Sequence, residues 1–338
     1  MPVDLPGRVL VTGVGGPSGI AVMQAIASPR LTILAGDIDP YAAGLYLVPP
    51  RQRVILPRGD DPRFADRVFE LCEREGVDVL VPTVDSELLP LARERQRFAA
   101  AGVTLVLADE QTLAVCLDKW ALDARCRSHV RTPRCWLVDG SFDPAEPELP
   151  AIVKPRSGSG SRGIALLRSE AELAALERDG TLLVQELLPG PEFSLDVLCG
   201  GDGEVLAVVP RERLKVDSGI AITGRTVHDP ALEAFGATVA RLIGLTTVAN
   251  VQVKGARDGE PALLEVNPRF PGTMPLTIAA GVDMPSLAVA EALGAPPPSG
   301  PLPFEEVAMV RSFTERFFPF DEIVALREAA ARVGSGVA

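Results

Sequence analysis

Three polar residues alternate with other residues near the end of the chain, in the segment ALLEVNPRFPG from Ala262 to Gly272. Glu265, Asn267 and Arg269 are two positions apart, and side chains two apart on a β-strand point to one face, roughly 7 Å from each other. A carboxylate, an amide and a guanidinium would therefore line one face of an otherwise apolar strand. This combination indicates a site for a charged ligand.

A second apolar strand precedes this one, and the two strands are predicted to form a hairpin around Arg257–Gly259. Gln252 would then lie opposite Glu265. Gln252, Glu265 and Asn267 offer three oxygen ligands with a single charge, which suits Mg²⁺ with water and substrate phosphates in its other positions. Arg269 can bind a phosphate through two parallel hydrogen bonds. A half-exposed strand with polar residues facing water is the alternative.

A glycine- and serine-rich stretch, IVKPRSGSGSRGI, contains a predicted strand that delivers Lys154, followed by the loop Ser157–Gly163. Glycines allow backbone N–H groups to approach phosphate oxygens, and the lysine supplies a point charge. The loop is not a Walker A motif, because the lysine precedes the glycines and G-K-[ST] is absent. A flexible surface linker is the alternative.

Two glutamates flank a short turn in LLVQELLPGPEFSLDV, between two predicted strands. The backbone after Glu186 could pair with adenine, and the Glu192 carboxylate could bind ribose hydroxyls. Two surface glutamates in a turn are the commonplace alternative. The stretch therefore predicts a nucleotide hinge only in combination with the other motifs.

A glycine turn near the N-terminus, VTGVGGPSGI, resembles a dinucleotide-binding fingerprint. Gly13, Gly15 and Gly19 follow a predicted strand, and Asp37 ends the next strand. However, the spacing G-x-G-x-x-x-G is one residue longer than the Rossmann pattern, and glycine at a strand–helix turn also has a packing role. A nicotinamide-dependent oxidoreductase is therefore the alternative function.

The first hundred residues alternate apolar runs with helical patterns, which predicts a parallel sheet flanked by helices. The strands are expected at RVLVTGVGG, LTILAGDID, VDVLVPTVD and VTLVLAD, and the helices at SGIAVMQAIAS, DPRFADRVFELCEREG and SELLPLARERQRFAAAG. Later segments predict helices and antiparallel strands: a helix over 111–129, a helix over 169–178, strands between 193 and 209, a helix at PALEAFGATVARLIGL, a strand at VAMVRSF and a helix over 320–332.

Length, net charge and cysteine content limit the classes of protein to which this chain could belong. The 338 residues are enough for two or three domains. A net charge of −12 argues against nucleic acid or an anionic membrane as the main partner. The five cysteines are odd in number and form no C-x-x-C pair, which is typical of reduced thiols. No 18-residue run lacks charge, so we expect a cytoplasmic protein without a membrane segment.

The order of these motifs resembles the ATP-grasp superfamily, and most closely the synthetase domains of carbamoyl-phosphate synthetase and the amino-acid ligases built like them. NVQVKGARDGEPALLEVNPRF followed by AAGVDMPSLAVAEALG is the most specific stretch, and the resemblance covers roughly residues 8–295. It implies an α/β fold with an N-terminal parallel α/β domain (1–110), an ATP-grasp small lobe (111–188) and a large lobe (189–295). The resemblance does not cover the linker and C-terminal extension (296–338).

The resemblance also implies cofactors and site residues. It implies ATP with Mg²⁺, Mn²⁺ being an acceptable substitute. The catalytic residues would be Lys154 and Arg269, and the metal ligands Gln252, Glu265 and Asn267. The ATP-binding residues would be Lys119, Lys154, Ser157, Gly158, Ser159, Gly160, Gln185, Glu186, Leu187, Leu188 and Glu192.

The expected activity is ATP-dependent ligation of a carboxylate to an amine through an acyl phosphate, with an amino acid as one substrate. The expected substrate residues are Gly15, Gly16, Asp85, Arg225 and Arg269. Asp85 could meet an ammonium group, or it could be an acid favourably placed at a helix N-terminus. Arg225 lies in VDSGIAITGRTVHDP, a segment that we expect to be a loop. It could clamp a carboxylate, although an exposed arginine is the default expectation.

Three points stay open at this level. His228 stands several residues later than the nucleotide-contacting histidine of the carbamoyl-phosphate enzymes, so a structural or solvent-facing role is favoured. The apolar tail FTERFFPF indicates a packing surface, either within the chain or in a homodimer. A non-catalytic nucleotide-binding module is a further alternative to the ligase, next to the oxidoreductase.

Overall fold

The computed structural model describes residues 5–158, 160, 162–217, 219–256 and 258–333. Within these residues, the strands form a five-stranded, a four-stranded and a six-stranded sheet. All pairs in the first sheet are parallel. All pairs in the other two are antiparallel. The predicted class, an N-terminal parallel α/β domain followed by antiparallel sheets, is therefore confirmed.

The N-terminal sheet has the strand order β3-β2-β1-β4-β5, and its central strands are buried on both faces. It contains β1 (Gly7–Thr12), β2 (Leu31–Asp37), β3 (Arg53–Ile55), β4 (Val79–Val81) and β5 (Thr104–Leu105), with helices α1 (Pro17–Ala25), α2 (Phe64–Glu75), α3 (Asp85–Arg93) and α4 (Arg95–Ala100). The single helix predicted over SELLPLARERQRFAAAG is wrong, because the Glu94 backbone (φ −96°, ψ 7°) leaves the helical region. The strand predicted at VTLVLAD shortens to β5.

The four-stranded sheet has the order β6-β9-β7-β8. This part contains α5 (Glu110–Leu117), α6 (Lys119–Cys126), β6 (Cys135–Leu137), β7 (Ala151–Pro155), β8 (Ala165–Leu167), α7 (Glu170–Ala174) and β9 (Leu182–Glu186). The predicted helix over 111–129 is in fact α5 and α6. They are separated by Asp118, whose carboxylate accepts hydrogen bonds from the N–H groups of Trp120 and Ala121 and so caps α6.

The six-stranded sheet has the order β14-β13-β10-β11-β12-β15. Its elements are β10 (Glu192–Cys199), β11 (Val205–Asp217), β12 (Ile220–Thr226), α8 (Pro230–Ile243), β13 (Val248–Gly255), β14 (Pro261–Asn267), α9 (Met274–Ala279), α10 (Met284–Ala292) and β15 (Ala308–Val310), followed by α11 (Phe320–Val333). The stretch VDSGIAITGRTVHDP, expected to be a loop, contains β12, which pairs with β11 and with β15.

The C-terminal extension contacts both the six-stranded sheet and the N-terminal sheet. β15 extends the six-stranded sheet, whereas α11 lies against the N-terminal sheet. There, Arg53 forms a 2.6 Å ion pair with Glu322, and Tyr46 stacks on Phe318 at 4.2 Å. Part of the apolar tail is therefore packed within the chain, although Phe313 stays 98% exposed.

One apolar cluster runs from the N-terminal sheet to the six-stranded sheet. It includes Leu10 and Leu34 of the first sheet, Leu113 of α5, and Val197 and Val251 of the last sheet. This shared core packs the N-terminal sheet, α5 and the six-stranded sheet together. In the described part of the chain, no helix combines the length and hydropathy that crossing a membrane requires.

Candidate functional site

A cleft of about 1170 Å³ lies where the three sheets meet. Its two principal surfaces are called the hairpin wall, formed by Gln252, Glu265 and Asn267, and the N-terminal wall, formed by the turn 13–19 with Asp37, Asp85 and Glu87. Most residues predicted at the sequence level to bind ATP, metal or substrate line this cleft, including Gly15, Gly16, Lys154, Gly160, Gln185, Glu186, Leu187, Leu188, Glu192 and Arg269.

The hairpin wall is built by the pairing of β13 and β14. Gln252 lies opposite Glu265, and Asn250 lies opposite Asn267, so the predicted register of the hairpin is confirmed. The register shifts directly after Gln252, because Leu264 is an extra residue in β14. The carbonyl of Leu264 is thereby available to Lys154, whose Nζ donates to it at 3.4 Å.

The oxygen atoms of the hairpin wall form a donor set that fits Mg²⁺. Asn267 Nδ2 donates to Glu265 Oε1 at 3.2 Å, and Gln252 Nε2 lies 3.5 Å from Asn250 Oδ1. The amide nitrogens are thus turned to neighbours, which leaves both amide oxygens for a cation. Among the described residues, no three His, Cys, Asp or Glu side chains converge as a metal site. A cation here would be held by one carboxylate, amides and substrate phosphates.

Two lysines flank the Glu265 carboxylate. Lys119, at the start of α6, has its Nζ 3.7 Å from Glu265 Oε2 and donates to the Gly158 carbonyl at 2.7 Å. Lys154 on β7 is only 6% exposed, and burial lowers the pKa of its ammonium group although the charge of Glu265 opposes the shift. The two ammonium groups and the carboxylate suit binding of phosphates together with a cation.

The glycine loop is described in part. Arg156 binds both carboxylate oxygens of Asp118, and Ser157 forms a β-bridge with Asp118, so α6 and the start of the loop are held together. Gly158 has φ +129° and Gly160 has φ +71°, conformations that favour glycine. Ser159 and Ser161, within the predicted phosphate loop, lie outside the described residues.

The hinge region carries an ion pair that the sequence did not reveal. β9 ends at Glu186, whose Oε2 accepts from the Arg134 backbone N–H at 3.2 Å. The Glu192 carboxylate, at the start of β10, binds Arg213 of β11, and Arg213 Nη2 donates to the Gly219 carbonyl at 2.8 Å. Arg213 therefore lines the predicted ribose end of the cleft, next to the hairpin turn between β11 and β12.

Arg269 and Asp85, both predicted to bind substrate, bind each other. Arg269 Nε donates to Asp85 Oδ1 at 2.6 Å, and Nη2 donates to Oδ2 at 3.1 Å. The two side chains are 17% and 18% exposed. The carboxylate that was expected to meet an ammonium group thus has a protein cation as its partner, and this pair joins the two walls of the cleft.

Several polar groups of the N-terminal wall form hydrogen bonds with other groups of the same domain. Gly13 has φ +65°, and the Gly15 N–H donates to Asp37 Oδ2 at 2.6 Å. Glu87 is buried and accepts a hydrogen bond from the Thr12 hydroxyl. Burial raises the pKa of Glu87 to about 8 and also raises the pKa of Asp37. The wall therefore holds acidic groups that retain protons more strongly than exposed carboxyls do.

Arg225 and His228 lie outside the cleft lining. Arg225 is half exposed on β12, and its Nε donates to Glu212 Oε2 at 2.7 Å. The structure does not bring it together with the other predicted substrate residues. His228 stacks on Phe304 at 4.1 Å, and its backbone N–H donates to Glu306 Oε1. His228 thus contacts the C-terminal extension, in line with the structural role favoured from the sequence.

A buried polar network supports the hairpin wall from below. Asp196 and Arg211 are 0% and 2% exposed and form a two-point ion pair. Asn250 Nδ2 donates to Asp196 Oδ1 at 2.8 Å, and Arg211 Nη1 donates to the Thr273 hydroxyl at 2.6 Å. Sequence reasoning missed this network, although charged residues at inward-facing positions of apolar strands were its available signal.

Two family models match the chain. Residues 9–106 match the PylC-like N-terminal domain. Residues 178–316 match the family described as ATP-grasp in the biosynthetic pathway with Ter operon. The chain contains an ATP-grasp domain. The match continues beyond the region of predicted resemblance and includes β15, so part of the C-terminal extension belongs to the ATP-grasp match.

Similar proteins agree with this assignment. The chain is 27% identical over 239 residues to the carbamoyl phosphate synthase large chain of Deinococcus radiodurans, covering 64% of this chain but only 23% of that protein. It is 28% identical over 200 residues to D-alanine–D-alanine ligase of Clostridium perfringens, covering 51% of this chain and 64% of that ligase.

A solved structure extends the similarity to the fold. The biotin carboxylase domain dimer of Hydrogenobacter thermophilus 2-oxoglutarate carboxylase, crystallised with MgADP, ADP and bicarbonate, superposes with a TM-score of 0.70. The alignment covers 89% of this chain and 73% of that chain at 17% sequence identity. The chain thus shares the α/β architecture of that biotin carboxylase domain.

Proposed function

We propose that this ATP-grasp protein is a carboxylate–amine ligase that forms an amide bond through an acyl phosphate, with an amino acid as one substrate. The observation that carries the proposal is the single cleft in which the oxygen face of the hairpin wall, the ammonium group of Lys154 and the guanidinium of Arg269 meet the loops of the N-terminal domain. These are the groups that phosphoryl transfer to a bound carboxylate requires.

The nucleotide would lie between the hinge and the hairpin wall. The backbone of Glu186–Leu188 would pair with adenine, and Glu192 would bind ribose hydroxyls. Lys119 and Lys154 would neutralise phosphate charge together with the backbone N–H groups of the glycine loop. Mg²⁺ or Mn²⁺ held by Gln252, Glu265 and Asn267 would offset the charge of the phosphates.

The chemistry needs no protein nucleophile. A carboxylate oxygen attacks the γ-phosphorus, the bond to the β-phosphate oxygen breaks, and ADP leaves. The amine then attacks the acyl carbon, and phosphate leaves with the carboxylate-derived oxygen. Arg269 would bind the transferred group as its charge redistributes. A thiol role is disfavoured, because burial raises the pKa of Cys135, the cysteine near Lys154, to about 12.

An amino-acid substrate is supported by the relative that joins two D-alanine molecules and by the acidic N-terminal wall. Gly15 and Gly16 expose backbone next to Asp37, and the Asp37 and Glu87 carboxyl groups lie within reach of the cleft. The oxygens of this wall can accept hydrogen bonds from an ammonium group, even where burial keeps a carboxyl group protonated, as at Glu87. We further propose a cytoplasmic location, which the five unpaired cysteines support.

The test is ADP release measured over a matrix of amino acids and small carboxylates, singly and in pairs, with Mg²⁺ and with Mn²⁺. The proposal expects turnover that requires one carboxylate and one amine, together with an amide product in the mass spectrum. With an ¹⁸O-labelled carboxylate, one ¹⁸O must appear in the released phosphate. ATP binding without turnover for any pair would instead favour a non-catalytic module, and phosphate without label would exclude the acyl phosphate.

A further inference from the structure

The ion pair between Asp85 and Arg269 links the N-terminal domain to the ATP-grasp large lobe. Asp85 is the first residue of α3, directly after the loop that follows the buried strand β4. Arg269 follows β14, two positions beyond Asn267 of the hairpin wall. Both residues line the cleft. The pair is therefore formed across the cleft, between residues 184 positions apart in sequence.

Hydrogen bonds to Asp85 occupy one edge of the Arg269 guanidinium. Nε and Nη2 of Arg269 donate to the two carboxylate oxygens of Asp85 at 2.6 and 3.1 Å. Nη1 is only 3.4 Å from the carbonyl of Phe270, a weak contact. A guanidinium carries five N–H donors in a rigid plane. Among the described residues, the second edge, between Nη1 and Nη2, has no strong acceptor, so its donors can bind an oxyanion in the cleft.

Asp85 is well suited to hold a cation at a defined point. Its backbone is fixed at the N-terminus of α3, where the helix dipole favours a carboxylate. The side chains of Asp85 and Arg269 are 18% and 17% exposed, so solvent screens the pair less than it screens a surface ion pair. The same acid thus fixes both the position and the plane of the guanidinium.

We infer that Asp85 is a positioning residue for Arg269. Its carboxylate binds one edge of the guanidinium and thereby orients the other edge towards an oxyanion in the cleft. This inference rests on the proposed function for the identity of that oxyanion, the transferred phosphoryl group or the substrate carboxylate. It replaces the expectation that Asp85 binds an ammonium group. It also means that Arg269 has the orientation needed for catalysis only when the N-terminal domain, which carries Asp85, is packed against the cleft.

The structural part of the test does not depend on activity. Crystal structures of the wild type and of Asp85→Asn would be compared. Asparagine has the same shape but presents an N–H₂ group to one guanidinium nitrogen, so it cannot accept both hydrogen bonds. We expect the Arg269 guanidinium to leave its place in Asp85→Asn while the backbones of α3 and β14 stay unchanged. A guanidinium that keeps its position without the carboxylate would overturn the inference.

The kinetic part separates positioning from domain docking. Asp85→Asn is expected to lower kcat about 100-fold with little change in the KM for ATP, and Asp85→Glu to recover part of that loss. The charge-swapped double variant Asp85→Arg with Arg269→Asp restores an ion pair between the domains but leaves no guanidinium at position 269, beside the hairpin wall. It should regain thermal stability but not turnover. Recovery of turnover in this variant would show a docking role alone.

Asp66→Asn is the matched control, because Asp66 forms an exposed ion pair with Arg97 on the surface of the same domain. It should leave kcat and the position of Arg269 unchanged. If the wild type has no ligase activity, the proposed function fails, but the crystal comparison still decides whether Asp85 holds Arg269. A displaced guanidinium would then keep the positioning role, and an undisturbed one would remove it.

Discussion

The hairpin wall and the N-terminal wall face each other across one cleft. The hairpin wall carries one carboxylate and two amides, whereas the N-terminal wall carries carboxyl groups and a glycine-rich turn, and from the sequence either set could bind a nucleotide. On the hairpin wall, Glu265 and Asn267 alternate with apolar residues and present their oxygens to the cleft. On the N-terminal wall, the Gly15 N–H is bound by Asp37, and Glu87 is buried against Thr12. Polar side chains spaced for one strand face therefore leave their oxygens open to the cleft, whereas glycines at a turn can be required by packing alone.

The largest expected effect is a loss of turnover, and it tests whether the hairpin wall binds the metal ion. Glu265→Gln removes the one charged oxygen of the donor set, so we expect turnover with Mg²⁺ to fall by about 1000-fold. The thermal unfolding midpoint should stay close to that of the wild type, because Glu265 is partly exposed. Steady-state ADP release and calorimetry measure the two quantities. Glu260→Gln, an exposed glutamate of the same hairpin, is the control, and near-normal rates in Glu265→Gln would refute the metal assignment.

The next effect concerns proton binding by the N-terminal wall. Glu87 has a folded-state pKa of about 8, raised by burial above its ordinary value of 4.5. The unfolded chain loses this proton near pH 4.5 and the folded chain only near pH 8. The stabilisation is therefore complete below about pH 4.5 and is lost as the pH rises to about 8, and its full size is about 5 kcal/mol.

Urea denaturation of the wild type and of Glu87→Gln, from about pH 5 to about pH 8, tests this prediction. Glutamine cannot ionise, so the difference in unfolding free energy between the two proteins should shift in favour of the variant as the pH rises. Asp37 has a pKa raised in the same direction, and its charge also raises the pKa of Glu87, so the comparison reports on the two groups together with Glu87 as the larger contributor. A difference that does not change with pH would mean that Glu87 is ionised in the folded protein.

A smaller effect is expected for the cation that joins the walls. Arg269→Ala should lower kcat about 100-fold and leave ATP affinity nearly unchanged, because the charge that Arg269 binds develops during transfer. Turnover kinetics and ATP titration by calorimetry separate the two. Arg93→Ala, which removes an exposed guanidinium on α3, is the control. Loss of ATP affinity without loss of kcat would assign Arg269 to ground-state nucleotide binding.

The smallest effect tests the packing interpretation of the glycine turn. A Cβ at Gly19 would lie 2.6 Å from the Gly13 carbonyl oxygen and 2.8 Å from Val14 Cα, both backbone atoms. Gly19→Ala should therefore destabilise the protein by about 2 kcal/mol. A Cβ at Gly16 would meet no atom closer than 3.5 Å, so Gly16→Ala should be nearly neutral for stability. Equal unfolding free energies for the two variants would contradict a packing role for Gly19.

Local spacing predicted part of this molecule well. The pairing of Gln252 with Glu265 follows from the position of one turn between two apolar runs, and the parallel pairing of the N-terminal strands follows from alternating strand and helix patterns. The break at Asp118 could have been found from the same kind of signal, because an aspartate before a short helical stretch is a favoured N-cap.

Pairings across long separations were beyond sequence reasoning. The partners Asp85 and Arg269 are far apart in the chain, and each also reads as an ordinary exposed charge. Arg213 reaches Glu192 only because β10 and β11 are neighbours with a particular register. The sequence predicts a loop in place of β12, because glycine and polar residues weaken the alternation there, whereas pairing with β11 and β15 stabilises the strand.

The central claim is that Gln252, Glu265 and Asn267 hold a divalent cation against the phosphates of ATP. A crystal structure with Mg²⁺ and a non-hydrolysable ATP analogue tests it most directly. We predict a cation about 2.1 Å from oxygens of Glu265 and Asn267 and from phosphate oxygens, with Lys154 on the same phosphates. An analogue bound elsewhere, or a cation with no ligand from the hairpin wall, would contradict the claim.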